Sequence, residues 1–287
     1  MPSLLRDGTT VAYEVSGRGD PIILGSSFLM NREMWRPQID RLARRYHVIA
    51  VDWRGHGRSG PVRKSVTLDD LADDLRAVLD AEDIDNAIWC GLSLGGMVAM
   101  REAIRNPARV TALILLDTDA GQWNRGERLK FGLLGVVARL AGMRAVTPSV
   151  QRTFFSRHTR QGRPDLIAYW RRSMRDLSVP SVYRMLQALA RRPSMAGQVT
   201  AISVPTLIIH GADDAAIPCS RAQELHRSIS GSRLRIIPDC GHIATLDQPD
   251  IVSDEIEQFL QSLPPPVSHP RSEREVGALS DDHHDEV

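Results

Sequence analysis

Short apolar runs alternate with amphipathic stretches along most of this chain. The runs in PIILGSS, YHVIAVDW, NAIWCG, VTALILLD, VPTLIIHG and RLRIIPD are continuous and rich in β-branched residues, as strands buried on both faces are. Between them, apolar residues recur at helical spacing over 32–45, 68–82, 94–106, 219–228 and 251–263. Strands separated by helices predict an α/β fold with a mostly parallel central sheet flanked by helices. Near the N-terminus two alternating runs flank Asp7-Gly8, which reads as a hairpin at the sheet edge.

The alternation stops between Asp117 and Val204. Helical patterns at 127–142, 148–156, 165–176 and 180–191 follow one another there with no convincing strand. This predicts an inserted helical lid over 120–200, dividing the core into 1–119 and 201–263. The segment 264–287, PPPVSHPRSEREVGALSDDHHDEV, lacks apolar periodicity and is expected to be a disordered tail. Its His283-His284 pair is too little for a metal site.

Composition narrows the class. The chain has 287 residues, 42% apolar and 25% charged, with net charge +1; it is ordinary for a soluble globular protein and gives no argument for nucleic acid. No apolar run reaches the roughly 20 residues that span a bilayer. The richest, 131–143, is interrupted by Arg139 and reads as a buried or pocket-lining helix. The N-terminus has no apolar signal region. Cys90, Cys219 and Cys240 form no CxxC and read as reduced thiols, so a cytoplasmic protein is expected. Charge is unevenly spread. Segment 120–200 holds fifteen Lys/Arg against Glu127, Asp165 and Asp176, a net of +12 in a chain of net +1. This is a solvated cationic surface, a field that steers an anionic substrate, or a surface that contacts a membrane. Oligomeric state leaves no mark in the sequence.

The chemistry centres on IWCGLSLGGM, residues 88–97. Ser93 stands between Gly91 and Gly95 where a strand-like run becomes a helix-like run. Gly-x-Ser-x-Gly in that context predicts a strained turn that lifts the hydroxyl above the sheet, beside free helix N–H groups. A serine needs a base. His242, in PDCGHIATLDQPD, follows a strand directly and is the best placed of nine histidines; His210 reads as a packed histidine and His56, in RGHGRS, as part of a turn. The base needs an acid to hold its tautomer. Asp213 and Asp214 both follow a strand in HGADDAAIP; Asp214 is favoured, with Asp213 capping the turn.

The order Ser93, Asp214, His242, carried by VDWRGHGRSG, CGLSLGG, HGADDAAIP and CGHIATLDQPD, resembles the α/β-hydrolase superfamily over Ser3–Leu263. Within it, GSSFLMNREMWRPQIDRLARRYHVIAVDWRGHGRS is similar to the oxoadipate enol-lactonase and esterase branch. The resemblance implies hydrolysis of a carboxylic ester or lactone through an acyl-enzyme, with neither metal nor organic cofactor. It implies an oxyanion hole made by the N–H of Leu94 and, by spacing, of Phe28. Ser26-Ser27 replace the usual His-Gly, which leaves Ser27 as the alternative donor. Trp35, Trp53 and Trp123 follow or flank strand ends and are candidate substrate contacts, the alternative being that each only packs. The lid's charge points to a substrate carrying a carboxylate. Rivals on the same fold are a carbon–carbon hydrolase and a haloperoxidase-like esterase. A non-catalytic ligand-binding receptor is the rival of another class.

Overall fold

The computed structural model describes residues 2–264; the expected tail lies, apart from Pro264, outside the described residues. Eight strands form one sheet: β1 (Ser3–Arg6), β2 (Thr9–Ser16), β3 (Asp20–Gly25), β4 (Tyr46–Val51), β5 (Ala87–Leu92), β6 (Val110–Leu116), β7 (Thr206–Gly211) and β8 (Arg233–Ile237). Their spatial order is β1-β2-β4-β3-β5-β6-β7-β8. The first two pairings are antiparallel and the rest parallel. The β1–β2 hairpin turns at Asp7 and Gly8, both at positive φ (49° and 73°), as a tight two-residue turn requires.

Strand residues alternate between two cores. Ile22, Leu24, Ile88 and Cys90 face one, with Ile39 and Leu42 of α1 (Arg36–Leu42) and Val252, Ile256 and Phe259 of α11 (Pro249–Gln261). Ile23, Ile49, Trp89 and Leu113 face the other, with α2 (Leu68–Ala81) and α3 (Leu94–Arg105). Coverage of both faces explains why β5 and β7 are buried at every position and read as unbroken apolar runs.

Between β6 and β7 the chain forms α4 (Arg125–Ala141), α5 (Met143–Phe154), α6 (Arg157–Gly162), α7 (Pro164–Arg175) and α8 (Val179–Arg191). Two boundaries differ from expectation. Helix α5 begins at Met143 and carries Pro148 inside. The exposed Pro148 removes one N–H, while Met143, Val146, Val150 and Phe154 bury the opposite face, and packing outweighs propensity. The helix expected over 32–45 splits into a 3-10 turn, Arg32–Trp35, and α1 with Pro37 in its first turn, where proline is tolerated. Helices α9 (Cys219–Ser228) and α10 (Ala244–Asp247) complete the fold.

Strand β3 has β4 on one side and β5 on the other. The loops leaving β3 and β5 therefore part in opposite directions and open a crevice above the sheet, where open α/β sheets place ligands.

Candidate active site

Ser93 sits at φ 56°, ψ −111°, a conformation costly for a residue with a Cβ. Neighbouring bonds hold it there. Its N–H donates to the Leu116 carbonyl at 2.8 Å, and its own carbonyl accepts from Thr118 Oγ1 at 2.8 Å and the Met97 N–H at 3.0 Å. Helix α3 starts at once, so the Leu94 N–H has no intrahelical acceptor. The two glycines let α3 seat against the sheet. A Cβ at Gly95 would lie 2.0 Å from the Gly25 carbonyl oxygen, and one at Gly91 2.2 Å from the Gly95 carbonyl carbon.

His242 lies between β8 and α10, and its Nδ1 is 2.8 Å from Asp214 Oδ2. That contact places the ring proton on Nδ1 and leaves Nε2 as the basic nitrogen. The other Asp214 oxygen accepts from the N–H groups of Ala216 (2.7 Å) and Ile217 (2.9 Å), so the carboxylate is fixed in a fully covered position. Asp213 is exposed, and its N–H donates to the Cys240 carbonyl at 2.8 Å. The Phe154 ring tilts against the His242 ring, centroids 5.2 Å apart.

Asp117, the first residue after β6, escaped the reading of the sequence. It is fully buried. One oxygen accepts from the Gly211 N–H at 2.8 Å and the other from the Ala244 N–H at 3.3 Å. A single side chain thus ties the start of the Asp214 loop to the loop that carries His242. Burial, reinforced by the nearby Asp214 charge, pushes its carboxyl well above the usual range. Burial lowers the pKa of His210, against the pull of the Asp214 charge; its Nε2 donates to the Ile217 carbonyl at 2.9 Å. The ligand atoms of Asp117, His210 and Asp214 lie within 4.8 Å of one another, the one such cation-sized group among the described residues. Their oxygens already accept N–H bonds, and nothing in the arrangement calls for a metal. The signal for Asp117 was an acidic residue closing the apolar run VTALILLD.

The loop after β3 is held at several points. Trp53 Nε1 donates to the Ser26 carbonyl at 2.7 Å and the Arg32 N–H to Asp52 Oδ1 at 2.8 Å. The Ser27 N–H meets Met34 Sδ at 3.3 Å, and the Leu29 N–H meets His56 Nε2 at 3.2 Å. The Phe28 N–H between them has no acceptor among the described residues. His56 Nδ1 donates to the Arg54 carbonyl at 3.1 Å, and burial lowers its pKa to about 4. The segment VDWRGHGRSG therefore underpins this loop, a stronger role than the turn expected for His56.

An apolar cavity opens beside these groups, lined by Phe28 and Leu29 of the loop, by Phe131, Leu134 and Ala138 of α4, and by Phe154. None of its lining residues is charged. The tryptophans expected to touch substrate do not line it. Trp35 and Trp53 are fully buried core residues, and Trp53 spends its N–H beneath the loop. Trp123 stacks on Phe131, centroids 4.6 Å apart, under the Arg192 guanidinium. It reaches the cavity only through Phe131.

A sheet of this order, with a strained serine at its crevice and an acid–histidine pair beyond the neighbouring strands, defines the class as an α/β hydrolase. The chain matches the family model of the alpha/beta hydrolase fold over residues 20–249 and belongs to that family. It is 25% identical to 3-oxoadipate enol-lactonase 1 of Acinetobacter baylyi, over 90% of this chain and 96% of that one. Among solved structures, the enol-lactonase from Burkholderia xenovorans superposes with a TM-score of 0.86 at 26% identity, covering 91% of this chain and 100% of the other. A thermophilic esterase from Thermogutta terrifontis gives 0.85 at 27%, covering 91% and 97%. The resemblance to the enol-lactonase and esterase branch therefore holds in sequence and in fold, within the α/β-hydrolase family to which the chain belongs.

Proposed function

We propose that this chain hydrolyses carboxylic esters or lactones through a covalent intermediate on Ser93, with His242 as general base and acid and Asp214 holding its tautomer. His242 Nε2 takes the Ser93 proton as Oγ bonds to the substrate carbonyl carbon. The resulting oxyanion rests on the N–H groups of Leu94 and Phe28. The C–O bond to the alcohol breaks as His242 returns the proton to it. Water then gives a proton to His242 and attacks the acyl group, and the acid leaves as Ser93 regains its hydrogen. The observation that carries this reading is the Nδ1 bond from His242 to a covered Asp214 at 2.8 Å, beyond a serine held at positive φ. Engagement of the Ser27 N–H by Met34 Sδ supports Phe28 as the second donor.

The uncharged cavity supports an apolar acyl group. A carboxylate-bearing lactone is the second reading, favoured by the lid's charge and by the enol-lactonase relatives. Proton release in a pH-stat across neutral esters, neutral lactones and carboxylate-bearing lactones separates the two. Ser93→Ala is the control, and its turnover is expected to fall by about 10³-fold or more with the melting temperature retained. Near-normal turnover in that variant would sink the assignment.

A further inference from the structure

Helix α4 is apolar on two opposite faces. Phe131, Leu134, Gly135 and Ala138 line the cavity. Leu129, Leu133, Val136 and Leu140, spaced four, three and four apart, form a second stripe turned to the outside, 74%, 61%, 49% and 82% exposed. Seven large apolar side chains are exposed among the described residues, and four of the seven are on this one helix. Clustering of that kind marks a contact surface rather than ordinary surface scatter.

The surroundings say what kind of partner fits. Arg125, Arg128, Lys130 and Arg139 lie on the same helix and Arg144 follows it, all exposed, while Glu127 is the helix's sole acid. Of the fifteen cations in 120–200, Arg192 alone has a carboxylate within 4 Å among the described residues. By helical position, Lys130 flanks one edge of the stripe and Arg125 and Arg139 the other. A second copy of this chain would bring another net +12 segment against the first, so like charges oppose self-association here. With 17 residues and flanking arginines, α4 does not span a bilayer, and no described helix is long and apolar enough to do so. An apolar stripe rimmed by cations is the pattern of a helix that lies in a lipid surface.

We propose that the outer face of α4 seats in an anionic lipid surface, leucines in the acyl boundary and arginines among the headgroups. The cavity under the inner face of the same helix is thereby brought to where lipophilic esters partition. The binding face stands on its own observations; only its use in substrate delivery rests on the proposed hydrolase reading.

Flotation of the full chain with vesicles tests it. Vesicles of phosphatidylglycerol and phosphatidylcholine should carry the protein at low salt, and pure phosphatidylcholine should carry much less. Each basic residue at the surface is worth about fivefold in partitioning, so Arg125→Glu with Arg144→Glu should weaken binding by at least about tenfold. Leu133→Ser with Leu140→Ser should weaken it by at least about tenfold as well, with soluble short-ester turnover unchanged as a check on folding. Ser93→Ala should float like the wild type, which separates failure of this proposal from failure of the hydrolase reading. Absence of wild-type binding to anionic vesicles overturns the proposal. Binding indifferent to the leucine pair does so too, because diffuse charge would then suffice. A vesicle-free dimer abolished by the leucine pair would also overturn it and make the face a self-association surface.

Discussion

Asp213 and Asp214 are adjacent and chemically identical, yet their surroundings differ. Asp214 is covered and accepts from two backbone N–H groups while contacting His242; Asp213 is exposed. Asp214→Asn exchanges an acceptor-only group for one that also donates, which disturbs the tautomer of His242. Its turnover should fall by about 10³-fold or more, and that of Asp213→Asn by less than about tenfold. Equal losses in a side-by-side assay would mean that the contact has no chemical role. His56 makes a prediction in stability. Its pKa falls from 6.5 to about 4 on folding because burial disfavours the charged ring. Below pH 6.5 the unfolded chain takes up a proton that the native chain refuses. His56 therefore contributes stability above pH 6.5 that is lost as pH falls toward 4, at about 1.4 kcal/mol per pH unit and about 3 kcal/mol in all. Denaturant unfolding at pH 7 and pH 4 should show a smaller loss in His56→Gln, whose amide can still accept from Leu29. Identical losses would remove His56 from the acid sensitivity.

Elements meet where single side chains bridge them. Asp117 joins the ends of β6 and β7 to the start of α10. Asp117→Ala would leave the Gly211 and Ala244 N–H groups buried without acceptors, each costing about 1–3 kcal/mol. The expected result is a loss of about 3 kcal/mol in unfolding free energy, together with a larger fall in kcat than in KM, because the two loops it joins carry Asp214 and His242. An unaltered kcat with lowered stability would make Asp117 purely structural. Its pattern in the sequence was only an aspartate after an apolar run, and many strands end that way. The second partner, Ala244, lies 127 positions away, a distance no local signal crosses.

At the scale of the molecule, the inserted helices enter and leave through one neck. Arg192 meets Asp119 at 3.2 Å, its Nε donates to the Gly121 carbonyl at 3.1 Å, and the Met195 N–H donates to the Ala120 carbonyl at 2.7 Å. Burial raises Asp119 and lowers Arg192 despite their contact, so desolvation outweighs the attraction. Removing Arg192 leaves the buried Asp119 with only the more distant Arg221, 4.0 Å away: Arg192→Met should cost about 3 kcal/mol, and adding Asp119→Leu should restore part of it. A double variant less stable than the single would contradict this account.

Local pattern determined much of this protein. Period and composition marked the six parallel strands, the Asp7-Gly8 hairpin, and the helical, cationic stretch between β6 and β7. Gly91 and Gly95 marked the serine turn, because a close backbone approach excludes a side chain whatever lies farther off. Only the tertiary structure decided which groups meet. It set Asp214 rather than Asp213 against His242, assigned the N–H of Ser27 to Met34, and drew Asp117 between two loops. It also buried Trp35 and Trp53 in the core and turned a second apolar stripe of α4 outward. The reason is physical: periodicity reports that a face is apolar, whereas burial and hydrogen-bond partners depend on what the rest of the chain brings to that face.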